Sequence, residues 1–144
     1  MFPPLEKGGK GGFESYFRMK KFMLIWGPVF LFAMFIFIMS SISSPGGNDP
    51  FPHFDKVAHF IVYGTFALLI FRGFSRTMGS NKFLLIAILT VLLTVGYGLS
   101  DELHQSFVPT RDSDIKDIAA DGIGAMAAVT ILYIRRRFFR RLSV

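Results

Sequence analysis

Residues 22–42 read FMLIWGPVFLFAMFIFIMSSI, an apolar run of 21 residues that contains no charged side chain. About 20 consecutive apolar residues are needed for an α-helix to cross the ~30 Å hydrocarbon core of a bilayer. Pro28 lies inside the run, and membrane helices tolerate such a proline when neighbouring groups bind the carbonyl that it frees. The run therefore predicts a transmembrane helix and places the chain among integral membrane proteins.

Three further apolar segments predict three more transmembrane helices. They lie at 57–71, 83–99 and 118–134. The first reaches the length of a full span only when it is extended to 55–74, and the second continues to Gln105. Stretches rich in Pro, Gly and polar residues separate the segments, at 43–54, 75–82 and 108–113. The predicted fold class is all-α, a four-helix transmembrane bundle.

The composition of the whole chain supports this class. Of the 144 residues, 51% are hydrophobic and only 18% are charged, whereas soluble domains carry about 25% charged residues. The 18 Phe argue against a disordered chain. The chain has no Cys, which excludes disulfides, thiolate nucleophiles and cysteine-ligated metals.

Basic residues concentrate on one side of the predicted bundle. Thirteen of the 16 Lys and Arg precede the first span, lie between the second and third, or follow the fourth, and eight of the ten acidic residues lie on the other side. The positive-inside rule places the basic side, and with it both termini, in the cytoplasm. The net charge of +6 is then a topology signal and an attraction to anionic membrane lipids. Nucleic-acid binding is not predicted, because no binding motif accompanies the basic residues.

The predicted organisation has three parts: a flexible basic N-terminal segment at 1–21, the transmembrane domain at 22–137 and a basic cytoplasmic tail at 138–144. Two alternatives stay open at the N-terminus. Met19 could be the native start, with 1–18 as a leader, or the first run could be a signal peptide cleaved at 40–44. The run is longer than the roughly 7–15 apolar residues of a signal peptide, which disfavours cleavage.

Three groups of polar residues fall at the predicted extracytoplasmic ends of the second, third and fourth helices. The first group contains Asp55, Lys56, His59 and Tyr63. On a helix, Asp55, His59 and Tyr63 share one face, so Asp55 can accept the ring proton of His59 and fix its tautomer. The alternative is that Asp55 caps the helix and that His59 is an ordinary interface histidine.

The second group contains Tyr97, Asp101, Glu102, His104 and Gln105. All except Glu102 form one polar stripe on a helix, and Glu102 points about 100° away from Asp101. Such residues are costly beside lipid unless they face protein or water. The alternative is a solvated helix end that projects past the head groups.

The third group contains Asp114, Asp117 and Asp121, three carboxylates near one helical stripe. Their mutual repulsion requires a compensating charge, for which the candidates are Arg111, Lys116, Lys56, a protonated imidazole and a divalent cation. Oxygen ligands suit Ca²⁺ or Mg²⁺, and a mixture with imidazole suits a transition metal. The sequence leaves metal binding open and identifies no cofactor. Capping is the alternative for Asp114 and Asp117, but Asp121 lies too deep for a cap and its partner is unknown.

Small residues follow at a spacing of four, at Ala120, Gly124 and Ala128. This spacing lets helices approach closely. It predicts packing of the fourth helix within the bundle, with homodimerisation through that helix as the alternative.

The polar groups together resemble the VanZ-like family of bacterial integral membrane proteins. The resemblance is carried by DKVAHFIVY at 55–63, by SDELHQSFVPTR at 100–111, and by Asp114 and Asp117 with the small residues at 122–124. The family patterns are D-K-x-x-H-x-x-x-Y, D-E-x-x-Q-x-F-x-P-x-R and D-x-x-D-x-x-x-N-x-x-G. This chain departs from them at Asp121, where the family often has Asn. The resemblance implies a multi-pass plasma-membrane protein, and the family's name comes from a member tied to teicoplanin resistance.

We expect one extracytoplasmic pocket that binds a polar head group or a glycan-linked lipid, with Arg111 and Lys56 engaging its anionic part. The expected lining residues are Asp55, Lys56, His59, Tyr63, Asp101, Glu102, His104, Gln105, Arg111, Asp114, Asp117 and Asp121. The rival hypothesis is a membrane enzyme, in which His59 or His104 is the general base, oriented by Asp55 or Asp101. Ion or proton transport is disfavoured, because the cytoplasmic half of each span is apolar.

Overall fold

The computed structural model describes residues 10–42, 51–109, 111 and 113–142, and every regular element within them is helical. The elements are α1 (Lys10–Ser41), α2 (Phe54–Met78), a 3-10 turn (Ser80–Lys82), α3 (Phe83–Gln105) and α4 (Ile115–Leu142). All four long helices are long and apolar enough to cross a membrane. The predicted all-α, four-helix transmembrane fold is confirmed.

The helices extend further than the apolar runs that predict them. Helix α1 begins at Lys10, so residues 10–21 of the segment predicted to be flexible are helical, which corrects that prediction for these residues. Helix α4 likewise continues through most of the predicted tail, to Leu142. Once an apolar span has nucleated a helix, each added residue costs little, and the flanking polar segments contain no proline.

Helix α2 is the centre of the bundle, with α4, α3 and α1 packed around it. One hydrophobic cluster joins Tyr63, Phe66 and Ile70 of α2 to Val29 and Ile36 of α1. Large apolar side chains elsewhere on α1 are exposed in the isolated chain, as expected of a helix that faces lipid.

Helices α2 and α4 approach each other closely at two glycines. A Cβ at Gly124 would overlap the backbone carbonyl of Phe60, and one at Gly64 would lie 3.3 Å from the carbonyl oxygen of Gly124. Ala125 and Ala128 are buried against Ala67 of α2. These small residues therefore pack helices within the bundle, and homodimerisation through α4 stays a prediction.

The connections place the two ends of the bundle in different chemical environments. The basic turn at 80–82 and the arginines that end α4 lie at one end. The end of α3 and the starts of α2 and α4 lie at the other, together with most of the predicted site residues. Residues 43–50 of the loop that joins α1 to α2 are outside the described residues.

Candidate functional site: an acidic cluster at one end of the bundle

Seven charged or ionisable side chains meet where the start of α2, the end of α3 and the start of α4 converge. We call this group the acidic cluster; its members are Asp55, Lys56, His59, Glu102, Asp114, Asp117 and Asp121. It joins all three polar groups that the sequence singles out. Five carboxylates thus share one ammonium and one imidazole.

Lys56 is the positive centre of the outer part of the cluster. Its Nζ lies 2.6 Å from Asp55 Oδ2, 2.9 Å from Asp114 Oδ2 and 2.9 Å from Asp117 Oδ1. Asp117 is buried, whereas about half of the Asp55 side chain is exposed. The ammonium is therefore fully engaged by the protein's own carboxylates.

His59 and Asp121 form the inner part of the cluster. The Nδ1 of His59 donates a hydrogen bond to Asp121 Oδ1 at 2.9 Å, and Asp121 is completely buried. This bond fixes the tautomer of the ring and supplies the partner of Asp121 that the sequence left unknown. The expectation that Asp55 orients His59 is wrong, because Asp55 is paired with its neighbour Lys56.

Glu102 approaches the same imidazole from α3. Its residue is 2% exposed, and its Oε2 accepts a hydrogen bond from the backbone amide of Asp114 at 2.9 Å. Its Oε1 lies 3.9 Å from His59 Nε2 and has no hydrogen-bond partner among the described residues. An unpaired buried carboxylate oxygen is costly, so this atom marks the cluster as a place that can accept a ligand.

Asp101 serves a different network on α3. Its Oδ2 accepts hydrogen bonds from the Tyr63 hydroxyl at 2.9 Å and from Gln105 Nε2 at 3.0 Å, and all three residues are buried. Tyr63 stacks on the His59 ring, with 5.6 Å between centroids. This network therefore holds Tyr63 against the His59 ring of the acidic cluster. Asp101 is hydrogen-bonded to Tyr63 and Gln105 and does not orient His104.

His104 and Arg111 face α1 instead of the cluster, which corrects the expectation of one shared pocket. The Nε2 of His104 lies 2.9 Å from Ser41 Oγ, and its ring is 4.6 Å from that of Phe37. Arg111 donates hydrogen bonds to the carbonyl oxygens of Met39 at 3.0 Å and Ile42 at 3.1 Å. The last carbonyls of a helix lack intrahelical partners and lie at the negative end of its dipole, so a guanidinium binds there readily.

One contributor to the site, Gly98, lies outside the polar groups that the sequence singles out. A Cβ at Gly98 would overlap the carboxylate of Asp121, so only glycine leaves room for that side chain. Tyr97 donates from its hydroxyl to the carbonyl of Ala33 at 2.6 Å and ties α3 to α1, away from the cluster. The sequence signal for Gly98 was its position one turn before Asp101, but glycine is common in membrane helices.

At the water-facing edge of the cluster, Asp114 precedes the first turn of α4. The pKa of Asp114 is lowered because its carboxylate accepts a hydrogen bond from the backbone amide of Lys116 and another from the Lys56 ammonium. Asp114 therefore stays ionised, and the partial exposure of Asp55 and Asp114 leaves the cluster open to solvent.

A cavity lies at the opposite end of the bundle from the acidic cluster. It is a cleft of about 930 Å³ between the start of α3 and the end of α4. Its charged lining residues are Lys82, Arg136, Arg137, Arg140 and Arg141. None of the predicted site residues lines it. Its positive charge suits anionic lipid head groups and not the chemistry of the acidic cluster.

A four-helix, multi-pass membrane protein with a polar cluster at one end is the class that fold and site define together. The sequence model of the VanZ/LLP1 family matches residues 12–136. The chain therefore belongs to this family, as the three motifs indicated. No curated protein and no solved structure matches it.

Proposed function

We propose that this protein acts in the bacterial plasma membrane, with both termini in the cytoplasm, and binds a polar or lipid-linked envelope ligand at the acidic cluster. The observation that carries the proposal is the convergence of partly buried His59 with buried Glu102 and Asp117 at one end of the bundle. Ionisable groups inside membrane spans are expensive and usually serve a function. The predicted topology places this end of the bundle outside the cell.

The geometry modifies how an anionic ligand would be held. Lys56 is surrounded by three carboxylates, and Arg111 binds the end of α1. The sequence had suggested that these two cations bind the anionic part of the ligand. Because both are already paired within the protein, neither is free to receive a phosphate. A ligand at this site would instead meet the outward edge of His59 and Glu102.

Binding can be tested by native mass spectrometry of the detergent-purified protein. The probe is a polyprenyl phosphate, with phosphatidylglycerol as the comparison lipid. We expect retention of the polyprenyl phosphate by the wild type, loss in His59→Ala, and retention in the matched control His104→Ala. Equal retention of both lipids, or equal loss in both histidine variants, would contradict the proposal.

A second candidate function is hydrolysis of a lipid-linked phosphate ester, favoured by the orientation of His59. Because Nδ1 carries the ring proton and donates a hydrogen bond to Asp121, Nε2 is the nitrogen that can receive a proton. Water would attack phosphorus and give its proton to Nε2 while the bond to the lipid oxygen breaks. That oxygen takes a proton from solvent, giving the alcohol and inorganic phosphate. Phosphate release that is lost in His59→Ala and kept in His104→Ala would favour the enzyme over the binding protein.

The family's association with teicoplanin resistance extends the proposal to physiology. Expression of the chain in a susceptible host should raise the teicoplanin concentration needed to stop growth, and His59→Ala should abolish the increase. Equal protection by the His59→Ala protein would show that the acidic cluster has no role in resistance.

A further inference from the structure

The acidic cluster contains two atoms that face each other without a hydrogen bond between them, one from a partly buried side chain and one from a buried side chain. These are His59 Nε2 and Glu102 Oε1, which lie 3.9 Å apart. The other ring nitrogen of His59 is bound to Asp121, and the other oxygen of Glu102 is bound to the amide of Asp114. Each side chain is thus held by one atom and presents its second atom to the same space.

Asp117 completes a group of three around this space. Ligand atoms from His59, Glu102 and Asp117 all lie within 4.8 Å of one another. In a tetrahedral Zn²⁺ site, ligand atoms about 2.0–2.2 Å from the metal are roughly 3.4 Å from one another. Side-chain rotations that shorten the distances between these ligand atoms by about an ångström would therefore give the spacing of a tetrahedral zinc site.

The charge balance of the cluster favours a cation. Five carboxylates face one ammonium, that of Lys56, and one imidazole. Buried carboxylates without compensating charge are strongly unfavourable. Glu102 and Asp121 each keep one buried oxygen that accepts no hydrogen bond from the described residues.

We propose that His59, Glu102 and Asp117 bind a divalent first-row transition metal ion, with Zn²⁺ as the best fit. A mixture of imidazole and carboxylate ligands suits such ions better than Mg²⁺ or Ca²⁺, which prefer sites made of oxygen alone. Three protein ligands leave a fourth coordination position, as in zinc sites that bind an exchangeable ligand.

Two neighbours position these ligands. Asp121 accepts the Nδ1 proton of His59 and so directs Nε2 toward the metal position, an arrangement that recurs around histidine ligands of metals. Lys56 holds one carboxylate oxygen of Asp117 at 2.9 Å. Asp121 and Lys56 are therefore positioning residues, and neither is a metal ligand.

The metal also explains how an acidic site could hold an anionic head group, and this step rests on the proposed function. An oxygen of a phosphate group can occupy the fourth coordination position of the metal. The metal ion would then supply the positive charge that Lys56 and Arg111 cannot, because both are already paired within the protein. Metal binding itself does not depend on the ligand, so the two ideas can be tested separately.

The test uses the full-length, tag-free protein in detergent after treatment with a chelator. Zn²⁺ is titrated by calorimetry, and Co²⁺ serves as a substitute whose visible absorption is strong in four-coordinate sites. We expect one ion per chain in the wild type and no stoichiometric binding in His59→Ala or Glu102→Gln. Asp121→Asn should weaken binding about 10- to 100-fold. His104→Ala, which changes the same end of the bundle outside the acidic cluster, should bind as the wild type does.

Failure of wild-type protein to bind one ion overturns the metal site, whatever the variants do. Equal binding by wild type, His59→Ala and Glu102→Gln overturns it as well, because the ion then lies elsewhere. Metal binding without retention of polyprenyl phosphate supports this inference and defeats the proposed function. Retention of that lipid in excess chelator leaves the proposed function standing and overturns the inference that the metal ion holds the phosphate group.

Discussion

His59 donates a hydrogen bond from Nδ1 to Asp121 Oδ1 at 2.9 Å, joining residues 62 positions apart on α2 and α4. The Asp121 carboxylate is completely buried and fits only because Gly98 of α3 has no side chain. Three helices are thus coupled at one point, and the orientation of the imidazole depends on all of them.

The glycine can be tested directly. Gly98→Ala should lower the free energy of unfolding by about 1–3 kcal/mol, the usual cost of forcing an extra methyl group into a filled site. The matched control is Gly96→Ala, since a Cβ at Gly96 meets nothing within 4 Å and alanine favours the helix. Unfolding in detergent would be followed by circular dichroism. Equal stability of the two variants would show that Asp121 is not confined by α3.

Arg111 should act on stability and not on ligand binding. Arg111→Ala removes the hydrogen bonds to the carbonyls of Met39 and Ile42, at a cost of about 1 kcal/mol for such exposed contacts. Arg111→Lys keeps the charge but lacks the planar fork, so it should recover only part of the loss. If Arg111→Ala unfolds like wild type but loses polyprenyl phosphate, the arginine belongs to the ligand site after all.

The buried network around Asp101 should behave as a unit. Tyr63 and Gln105 donate to the same oxygen of Asp101, so each can partly replace the other. Tyr63→Phe and Gln105→Leu should each cost about 1–2 kcal/mol of stability, and the double variant should depart from additivity by at least about 0.5 kcal/mol. Tyr97→Phe, whose hydroxyl binds Ala33 instead, should add to Gln105→Leu without coupling. Full additivity of the Tyr63 and Gln105 substitutions would mean that the shared oxygen does not link them.

Much of the fold could be predicted from the sequence, because the bilayer demands long apolar helices that are visible as runs of letters. The same periodicity predicted that Asp117 and Asp121 share one side of the fourth helix, and both are buried on α4. It could not show which neighbour each would meet, since that depends on how the helices pack. Asp55 pairs with adjacent Lys56, and Asp121 reaches the histidine from another helix.

His104 illustrates the same limit. Its spacing from Asp101 predicted one stripe, but an angular offset of about 60° on a helix is enough to direct the two side chains toward different neighbours. Asp101 turns toward Tyr63 of α2, and His104 turns toward Ser41 of α1. Helical phase indicates a face, whereas the choice of partner requires the positions of the surrounding helices.

The charge of Asp114 should contribute to stability over a defined pH range. Its pKa in the folded protein lies below the ordinary value of 3.8, because the Lys116 amide and Lys56 bind the ionised form. Its contribution is present above the unfolded pKa and is lost as pH falls through the lower, folded pKa. The melting temperature of wild type should therefore exceed that of Asp114→Asn at pH 6, and the gap should close below about pH 4. A gap that is the same at every pH would assign the effect to packing. A higher melting temperature for Asp114→Asn at pH 6 would show that repulsion within the cluster outweighs the Lys56 contact.

The orientation of the bundle is open to a test that the chain makes simple, because it has no native cysteine. Ser106→Cys lies in the connection between α3 and α4, and Asn81→Cys lies in the turn between α2 and α3; both positions are exposed. Basic segments are retained in the cytoplasm, and the described basic segments lie at the Asn81 end. A membrane-impermeant maleimide added to intact spheroplasts should therefore label Ser106→Cys and leave Asn81→Cys unlabelled. Lysis should make both react, which controls for accessibility. The reverse pattern would turn the acidic cluster toward the cytoplasm, and a ligand from the outer leaflet would then be excluded.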